Sequence, residues 1–553
     1  MTYRHFSIFC FLAFTITLLA VPAKQGVFTR TQADGTTIEL RQYGDEYFHY
    51  LTDAEGNWVE EKDGMYVRCE QLSDEQILNR RLLSPRLQAN RRRIGGLNIA
   101  PRGLVILANF ANLSFQSENT REAFDEMHNG DDYIFNGATG SCRQYFIDQS
   151  GGQYSPSFDV VGPVTLSQPY NYYGANDRQG NDLRPEEMIV EACQLAKAEN
   201  PDINFSVYDN DKDGFVDFVY VIYAGHNEAE GAAANTVWPH NYYVYSATGK
   251  ICDIDGVRID NYACSSELRN SSGTTRCGIG TFCHEFSHVL GLPDLYATTS
   301  SAIHKTMGDW DILDSGPYNN RGRTPPAYSA YERFFMGWLK PTILTERGDF
   351  TLEEIQTSNQ CYLLVEGGEH NLNGVYPSPT DFYILENKQK TLWNRYIPGE
   401  GLMITHIRYS RSKWDSNSVN NDANNMGVDI VEADQHTPTV NDYYNGVDGY
   451  SGKQGDLFPY YDVDYFIPYE SSPIEAIKHN NRIISFKFKG GTRNLNRFVL
   501  DDAGEEVVVG IYTVDGVCTG ITDLNLLDEG TYIVYKTKNG ERIKSSKIVI
   551  PVR

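Results

Sequence analysis

Alternating apolar and polar residues mark the stretch from residue 24 to residue 70. The alternating runs are separated by turn signals rich in Gly, Asp and Asn at residues 33–35, 54–57 and 62–64. A two-residue period puts successive side chains on opposite faces of an extended chain, and these turn residues tolerate the tight reversals between strands. The pattern predicts a small β-meander in this part of the chain.

Continuous apolar runs and amphipathic segments follow one another between residues 98 and 345. The runs at 102–109 and 218–224 have the length and composition of buried strands. Residues 120–128 and 184–198 have helical periodicity, and the second segment carries proline and acids in its first turn. Strands that alternate with helices predict an α/β or α+β domain over residues 98–345.

Helical periodicity fades after residue 345. Short apolar runs separated by clusters of Asn, Gly and Asp predict a β-sandwich-like accessory domain over residues 346–492. These runs lie at residues 361–366, 382–386, 402–409 and 483–488. A last segment, residues 493–553, again carries short strands and turns, which predicts a small C-terminal β module. The expected organisation is therefore multidomain.

The first 23 residues have the plan of a secretory signal peptide. Arg4 and His5 precede an apolar run from Phe6 to Ala20, and residues 21–23 include the small side chains usual at a cleavage site. The run is short for a membrane span, and no other apolar stretch of about 18 residues follows. A retained anchor is the alternative. We therefore expect an exported, extracellular protein.

A basic, polar stretch separates the meander from the α+β domain. It contains Arg80, Arg81, Arg86 and the run 91–93, and two glycines follow. Exposed, flexible arginine sites invite proteolysis. The stretch therefore suggests a pro-region at residues 24–97 that ends in a processing linker; a solvated linker without a processing role is the alternative.

Charge and length narrow the function classes. The chain has 553 residues, more than one hydrophobic core usually supports. It carries 48 Lys and Arg against 73 Asp and Glu, a formal net charge of −25. Proteins that bind nucleic acids contact phosphates through clustered basic residues, so that class is not expected here.

Cysteine usage gives a weaker signal. Nine of the 10 cysteines lie beyond the predicted signal peptide, an odd number that cannot all pair within one chain. No CxxC pair is present, so a cysteine-bound zinc site has no support. Cys252, Cys264 and Cys277 lie close together in the sequence, which makes one disulfide among them plausible.

The strongest chemical signal is the sequence His284-Glu285-Phe286-Ser287-His288. Residues four apart lie on one face of a helix, so His284 and His288 can hold one metal ion from successive turns. Glu285 lies beside them without being needed as a ligand. It is positioned to take a proton from a water molecule that the metal activates and to pass it to a leaving amine. The motif predicts a catalytic zinc site.

The residues after this motif predict a third ligand. Gly291 can end the helix in a left-handed turn and Pro293 prevents its continuation, so the chain turns back and delivers Asp294. Three protein ligands and one open position form the usual ligand set of a catalytic zinc ion. Glu332, in a helical-looking stretch, is the alternative third ligand. Asp294 is favoured because the turn gives it a route to the metal.

These motifs resemble two groups of metallopeptidases. The spacing from His284 to Asp294 resembles the metzincin motif, with aspartate in place of its last histidine. Longer strings resemble the immune inhibitor A family of secreted bacterial metallopeptidases; they lie at residues 284–296, 307–316, 42–50, 237–240 and 328–338. The resemblance implies that Asp294 is a zinc ligand and that residues 98–345 form a metzincin-like catalytic domain.

One position departs from the metzincin pattern. The methionine that packs beneath the metal in that group is expected near residue 313, where this chain has Leu313, and Met307 comes too early in the sequence. That methionine does not bind the metal, and leucine has a similar volume. The departure therefore leaves the predicted chemistry in place.

A second acidic motif, residues 209–217, has the spacing of a calcium-binding loop. Its ligands would occupy loop positions 1, 3, 5, 7 and 9, with a glycine at position 6 for the turn. In loop order they are Asp209, Asp211, Asp213, the backbone carbonyl of Phe215, and Asp217. Position 12 lacks the glutamate of an EF-hand. We predict a structural calcium site, and a solvated acidic turn is the alternative.

Two further features concern latency and export. Cys69, Asp45, Asp53 and Asp63 of the pro-region could each cover the metal in a latent form, and none is favoured. The C-terminal strings at residues 509–516 and 527–534 resemble the sorting domains of type IX secretion cargo. That resemblance implies contact with secretion machinery and attachment to the cell surface; a generic β-sandwich end domain is the alternative.

The motifs and the resemblance imply a secreted zinc endopeptidase that is made as a zymogen. We expect protein or peptide substrates, a structural calcium ion and a monomeric state. A secreted adhesion or binding protein with an inactive metal site is the alternative. The intact ligand set argues against it, because a binding protein has no need of Glu285.

Overall fold

The computed structural model describes most of the chain. Backbone and side chains are described for residues 22–24, 26–45, 48–73, 76–77, 100–177, 180–298, 304–435 and 452–491, and the backbone alone for four strands between residues 497 and 550. The signal-peptide prediction up to residue 21, the basic linker and Cys518 lie outside the described residues. Parts of the two strings that resemble sorting domains also lie outside them. Within the described ranges, no helix has the length and apolar character to cross a membrane.

An antiparallel sheet forms the first described part of the chain. Its strands, in spatial order, are β1 (Val27–Thr31), β2 (Thr37–Asp45), β3 (Phe48–Thr52), β4 (Trp58–Lys62) and β5 (Met65–Arg68). Aromatic residues hold one face together: the ring of Tyr50 stacks on that of Trp58 with centroids 4.0 Å apart. Each strand pairs with its sequence neighbour, so the predicted meander is confirmed. This sheet is called the pro-sheet below, after the pro-region that the sequence predicts at residues 24–97.

A mostly parallel sheet follows. In spatial order its strands are β7 (Ser157–Thr165), β6 (Arg102–Asn109), β8 (Val219–Tyr223), β12 (Asn261–Ser266) and β9 (His240–Tyr243). Only β9, at the edge of this described sheet, runs antiparallel. The apolar runs of β6 and β8 are buried on both faces, as parallel strands require. The hairpin strands β10 (Cys252–Ile254) and β11 (Val257–Ile259) pair beside this sheet.

The helices are short, apart from α4. They are α1 (Arg121–Asn129), α2 (Cys142–Gln149), α3 (Tyr170–Tyr173), α4 (Pro185–Glu199), α5 (Val244–Thr248), α6 (Gly280–Val289), α7 (Ala330–Phe335), α8 (Ile355–Ser358) and α9 (Arg411–Asp415). Single helical turns lie at Phe135–Gly137, Phe205–Tyr208, Glu228–Glu230, Gly308–Trp310, Gly316–Tyr318, Asn319–Gly322, Glu366–Gly368, Leu392–Tyr396 and Gln454–Asp456.

Helix α6, which carries the HExxH motif, is fixed by aromatic packing on the parallel sheet. The ring of Phe282 lies 4.7 Å from that of Tyr220 and the ring of Phe286 lies 5.0 Å from that of Phe218. His284 and His288 are each two residues further along the helix, about 200° around its axis. The packing therefore turns both histidines away from the sheet. Helix α4 packs in the separate core on the opposite face.

A third five-stranded sheet, again within the described residues, belongs to the same compact unit as the parallel sheet. Its spatial order is β13 (Thr342–Ile343), β15 (Tyr362–Leu364), β16 (Asp381–Lys388), β17 (Gly401–Arg408) and β18 (Val428–Ile430). Its buried side chains join the core that surrounds α6. The unit comprises the described residues of Met1–Leu344, Leu352–Val463 and His479–Ile484.

A second compact unit comprises the described residues of Thr345–Thr351, Asp464–Lys478 and Ser485–Arg553. Most of its strands belong to two sheets. The first sheet consists, in spatial order, of β14 (Gly348–Leu352), β20 (Ile483–Phe488) and β19 (Ile474–Asn480). The antiparallel strands β21 (Arg497–Leu500), β22 (Glu506–Thr513), β23 (Gly530–Lys538) and β24 (Glu541–Ile550) form the other. The predicted change from mixed to β structure after residue 345 is confirmed.

The expected disulfide among Cys252, Cys264 and Cys277 is wrong. The three cysteines form no disulfide with one another. Cys252 and Cys264 belong to the core on the α4 face of the parallel sheet, whereas Cys277 packs against the core on the α6 face. Proximity in sequence is misleading here because the sheet separates the side chains.

Candidate metal centre

The two histidines of α6 are held by backbone carbonyls. His284 and His288 are buried, and the Nδ1 atoms lie 2.7 Å from the Ile312 carbonyl oxygen and 2.9 Å from that of Leu292, respectively. A ring nitrogen that faces a carbonyl must carry the proton, so Nε2 is the ligand atom of each neutral ring. The two Nε2 atoms are 3.0 Å apart.

Asp294 completes the cluster because the chain reverses after α6. Gly291 adopts a φ of 95°, and the amides of Gly291 and Leu292 donate back to the carbonyls of His288 and Ser287. This left-handed termination is the predicted one. It places Asp294 Oδ1 3.3 Å from the Nε2 atom of each histidine.

The spacing of the three atoms fits a tetrahedral metal ion. Their separations are 3.0, 3.3 and 3.3 Å, and ligand atoms about 2.0 Å from a tetrahedral ion are roughly 3.3 Å from one another. Two imidazole lone pairs and a carboxylate oxygen, all buried, repel each other unless a cation lies between them. The residues present therefore fit a divalent metal with one ligand position left open.

The protonation states suit metal binding. Burial lowers the pKa of His288 to about 4, so its ring is neutral at pH 7. Burial opposes the charged form of Asp294 as well, but the contacts of its carboxyl group with His288 and His284 lower its pKa to about 2. A neutral ring and an ionised carboxylate are the forms that bind metals.

Glu285 and the turn that contains Tyr318 flank the helix that carries the two histidines. Glu285 is fully buried on α6, next in sequence to His284. Burial raises the pKa of the Tyr318 phenol well above its ordinary value, and the charges of Glu230 and Glu285 add to that rise. Tyr318 belongs to the turn that packs on α6, and its hydroxyl donates to the Pro22 carbonyl oxygen at 2.8 Å.

Leu313 occupies the loop that supports the histidines. Its side chain is fully buried in the core around α6, and its carbonyl accepts the amide of Leu295, the residue after Asp294. Ile312, one residue earlier, holds His284. Met307 is buried in the same core. Leucine at this position is thus compatible with an ordered loop.

Glu332, the alternative third ligand, is not brought to the histidines. Its Oε2 accepts the Ser329 amide at 2.6 Å in a capping box at the start of α7. Burial and the neighbouring Asp311 raise the pKa of the Glu332 carboxyl well above its usual range. Among the described residues, the ligand atoms that meet His284 and His288 come from Asp294.

Asn417 is a site residue that sequence reasoning missed. It lies 123 residues beyond Asp294, next to α9, and is fully buried. Its Nδ2 donates to Asp294 Oδ2 at 2.6 Å, and its Oδ1 accepts the Asp294 amide at 2.8 Å. The pair of bonds turns Oδ1 of Asp294 toward the histidines. No local pattern around an isolated asparagine could have indicated this contact.

Three of the four predicted calcium-binding carboxylates come together. Ligand atoms of Asp209, Asp211 and Asp213 lie within 4.8 Å of one another. The structure does not bring Asp217 to them: its Oδ2 accepts the backbone amide and the side-chain amide of Asn210, both at 2.8 Å. Burial raises the pKa of Asp217 to about 6. The Phe215 amide donates to Asp213 Oδ1 at 2.9 Å.

The four latch candidates lie in the pro-sheet region and, within the described residues, none joins the metal-ligand cluster. Asp53 binds Arg68 at 2.9 Å, and Asp45 accepts the Phe48 amide at 3.2 Å. Cys69 packs beside the aromatic core of the pro-sheet, and Asp63 lies in a tight turn with a φ of 53°.

Other residues join the pro-sheet to the segment that precedes β9. His49 Nε2 lies 3.0 Å from Glu228 Oε1, and the His49 ring stacks on Trp238 with centroids 4.6 Å apart. Burial opposes the charged form of the imidazole, but attraction to Glu228, its hydrogen bond and weaker attraction to Asp182 raise the pKa of His49 above its ordinary value. Lys24 pairs with Glu230 at 2.9 Å.

The His–His–Asp cluster is the kind of ligand set that metallopeptidases use. Residues 106–339 match the family model described as the immune inhibitor A peptidase M6 catalytic domain. The resemblance to the immune inhibitor A family is therefore confirmed over this region, which is less than half of the chain.

Two curated relatives are similar over part of the chain. The pre-pro-metalloprotease PrtV of Vibrio cholerae serotype O1 is 27% identical over 303 residues, which are 48% of this chain and 32% of the relative. Immune inhibitor A of Bacillus thuringiensis subsp. alesti is 24% identical over 219 residues, 35% of this chain and 31% of the relative. The chain thus matches about a third of the length of these relatives.

We predict that Asn417→Ala weakens metal binding. The substitution removes both hydrogen bonds that orient Asp294, and loss of such a partner typically lowers metal affinity about 10- to 100-fold. Competition for Zn²⁺ with a chromophoric chelator measures the dissociation constant. Asn421→Ala is the control, because Asn421 accepts from Thr298 in the same loop without contacting a ligand. An unchanged dissociation constant for Asn417→Ala would contradict the assignment.

We also predict that the pro-sheet contact weakens as the pH rises. The pKa of His49 is raised above 6.5, so the protonated ring adds stability that is fully present below pH 6.5 and is lost as the pH passes through the raised value. His49→Gln should therefore lower the melting temperature more at about pH 6 than at about pH 9, since a charged hydrogen bond contributes about 1.5–3 kcal/mol.

Melting curves of the two chains across that pH range measure the effect. His479→Gln is the matched control, because the His479 ring is hydrogen-bonded to the neutral Gln389 at 2.9 Å. If the cost of His49→Gln is the same at every pH, the ion pair with Glu228 does not carry the contact.

Proposed function

We propose that the protein is a secreted, zinc-dependent endopeptidase that hydrolyses peptide bonds of extracellular proteins and is made as a zymogen. The observation that carries the proposal is the buried cluster of His284 Nε2, His288 Nε2 and Asp294 Oδ1, with Glu285 on the same helix. The match of residues 106–339 to a peptidase catalytic domain supports it.

Zinc suits the ligand set. Two imidazoles and a carboxylate at tetrahedral spacing are typical of catalytic zinc sites, which keep a fourth position open. A Zn²⁺ ion held there would act as a Lewis acid that polarises the scissile carbonyl and lowers the pKa of a water molecule in the open position. The carbonyls of Ile312 and Leu292 would keep both rings oriented for this role.

Glu285 would be the general base. It is buried beside His284 and is not one of the three clustered ligand residues, so the role proposed for its carboxylate is proton transfer and not metal binding. In the proposed reaction it accepts a proton from the attacking water and then delivers it to the leaving amine. Because Glu285 is buried, little water screens the charges that form during proton transfer, so their electrostatic interactions are stronger.

Export and latency are further parts of the proposal. The apolar run from Phe6 to Ala20 supports a signal peptide, and the Arg-rich linker supports processing after a pro-region. His49 pairs with Glu228, and Lys24 pairs with Glu230. These ion pairs would hold the pro-region in place until the linker is cut. We also propose attachment to the cell surface through residues 493–553, because strings in this segment resemble sorting domains.

We propose calcium as a structural ion in the loop of Asp209, Asp211 and Asp213. Three carboxylates within one turn repel one another, and a hard cation with oxygen ligands relieves the repulsion. The loop leads through Phe215 into β8, which supports Tyr220 beneath α6. A calcium ion would therefore stiffen one border of the sheet that carries the zinc helix.

We predict that Glu285→Gln lowers kcat/KM on casein about 100- to 10,000-fold, the usual contribution of a general base. The zinc content should stay the same, because Glu285 is not a ligand. Chain processed at the Arg-rich linker would be assayed with and without chelator, beside Glu122→Gln, a control at an exposed position of α1. Chelator-resistant cleavage, or full activity of Glu285→Gln, would refute the mechanism.

We predict that Ca²⁺ raises the free energy of unfolding by about 2.7 kcal/mol at a concentration 100 times its dissociation constant. Asp213→Asn should reduce the gain, since it removes one charge from the clustered ligands. Asp202→Asn, at an exposed position outside the loop, is the control. Denaturant unfolding at fixed ionic strength measures the effect, and an equal gain in both variants would rule out this loop.

A further inference from the structure

Residues 22–24 bind to the catalytic domain as a short peptide would. The Pro22 carbonyl oxygen accepts the Tyr318 hydroxyl at 2.8 Å, and the Lys24 amide donates to the Ala229 carbonyl at 2.9 Å. The Ala23 amide is directed to the other side, to the Gly44 carbonyl of the pro-sheet at 2.8 Å. Two backbone groups of the tripeptide are thus recognised by the catalytic domain, independently of its side chains.

The alanine side chain fills a small apolar pocket. Ala23 is 1% exposed and packs in a cluster with Ala229 and Trp238, against which the partly buried Tyr318 also packs. The pocket is closed by the indole and phenol rings, so its size suits a methyl group. A larger side chain would have to displace one of those rings, which close packing in the interior resists.

The lysine side chain is recognised by charge. Lys24 Nζ donates to Glu230 Oε2 at 2.9 Å and to Asn270 Oδ1 at 2.6 Å. Glu230 is itself held in place: its amide donates to Asn227 Oδ1 at 2.8 Å, and Oε2 accepts the Asn270 amide at 3.0 Å. Its side chain is only 10% exposed. A neutral side chain in place of Lys24 would remove the ammonium group that pairs with this carboxylate, which is unfavourable in a largely buried position.

This segment borders the metal centre. Tyr318, whose hydroxyl binds Pro22, belongs to the turn Gly316–Tyr318, and this turn packs on α6. The loop that leads to Tyr318 passes through Ile312, the residue that holds His284. A peptide that follows the course of residues 22–24 therefore contacts the turn that packs on the metal-binding helix.

We infer that Ala229, Glu230, Trp238 and Asn270 form a substrate subsite that accepts a small side chain followed by a lysine or arginine, and that residues 22–24 show the course of such a peptide through it. The inference rests on the proposed peptidase function and names the peptides that it prefers. A signal-peptide cut after Ala23 removes the alanine from its pocket and leaves Lys24 on Glu230. Release of the pro-region then frees the whole subsite.

The test measures peptide binding, which does not require catalysis. The chain begins at residue 24, as after the predicted signal-peptide cut, so that Pro22 and Ala23 no longer fill the subsite. It carries Glu285→Gln so that no peptide is cleaved, and Lys24→Glu so that repulsion from Glu230 keeps the subsite open. Fluorescence anisotropy then compares the labelled peptides Val-Pro-Ala-Lys-Gln-Gly and Val-Pro-Ala-Glu-Gln-Gly. We expect the lysine peptide to bind at least about tenfold more tightly, the effect of one charged contact of about 1.4 kcal/mol.

Three further chains serve as controls. Lys62→Glu makes the same charge reversal at an exposed position of the pro-sheet and should leave the subsite closed. Addition of Glu230→Gln to the open chain should abolish the preference for lysine. Glu230→Lys combined with Lys24→Glu restores an ion pair of opposite polarity and should close the subsite again. Lys24→Gln, which removes the charge alone, replaces Lys24→Glu if that chain fails to fold.

The outcomes separate this inference from the proposed function. Equal binding of the two peptides by a folded open chain, no binding of either, or a preference that survives Glu230→Gln overturns the subsite. Casein hydrolysis by the processed chain with Glu285 intact tests the peptidase function by itself. Lysine-selective binding without hydrolysis would leave a peptide-binding site and refute the enzyme, whereas hydrolysis without selective binding would refute the subsite alone.

Discussion

The structure depends on holding three metal-ligating side chains together in an interior that excludes water. His284, His288 and Asp294 are all buried, and their ligand atoms lie 3.0–3.3 Å apart. Such a cluster is unfavourable without a cation, so the surrounding fold must fix each group. It does so with partners outside the HExxH motif: two backbone carbonyls orient the rings and the side chain of Asn417 orients the carboxylate. The ligand set is therefore a product of three separate chain segments.

This requirement explains why the sheet of β13 and β15–β18 shares a core with the parallel sheet. Asn417 can orient Asp294 only if the loop after α9 is fixed against the loop after α6. The Trp310 indole donates to Asp456 at 2.8 Å, and the same carboxylate pairs with the buried Lys305 at 2.6 Å. These buried polar contacts tie the loop around the metal ligands to the β-rich part of the first unit. That part is a structural component of the site.

The pro-sheet region contacts the segment before β9 through charged side chains. The turn Glu228–Glu230 presents two carboxylates, and the pro-sheet region meets them with His49 and Lys24. The proposed latency and the proposed substrate preference thus depend on the same carboxylates, those of Glu228 and Glu230. A segment that covers these carboxylates must supply charges or hydrogen bonds that replace their contacts with water. A buried ion pair strongly penalises loss of either partner. Docking of the pro-sheet and recognition of a basic substrate side chain would then have the same physical origin.

Local patterns in the sequence determined much of this protein. The four-residue spacing of His284 and His288, the turn at Gly291 and Pro293, and the alternation before residue 70 each arise within a few residues, where backbone geometry links sequence to structure directly. Tertiary structure alone decided that Asn417 orients Asp294, that Glu332 lies away from the histidines and that Lys24 pairs with Glu230. It also overturned the expected disulfide and directed Asp217 to Asn210. These outcomes depend on packing: residues 123 apart, such as Asp294 and Asn417, meet without leaving any periodic signal in a single sequence.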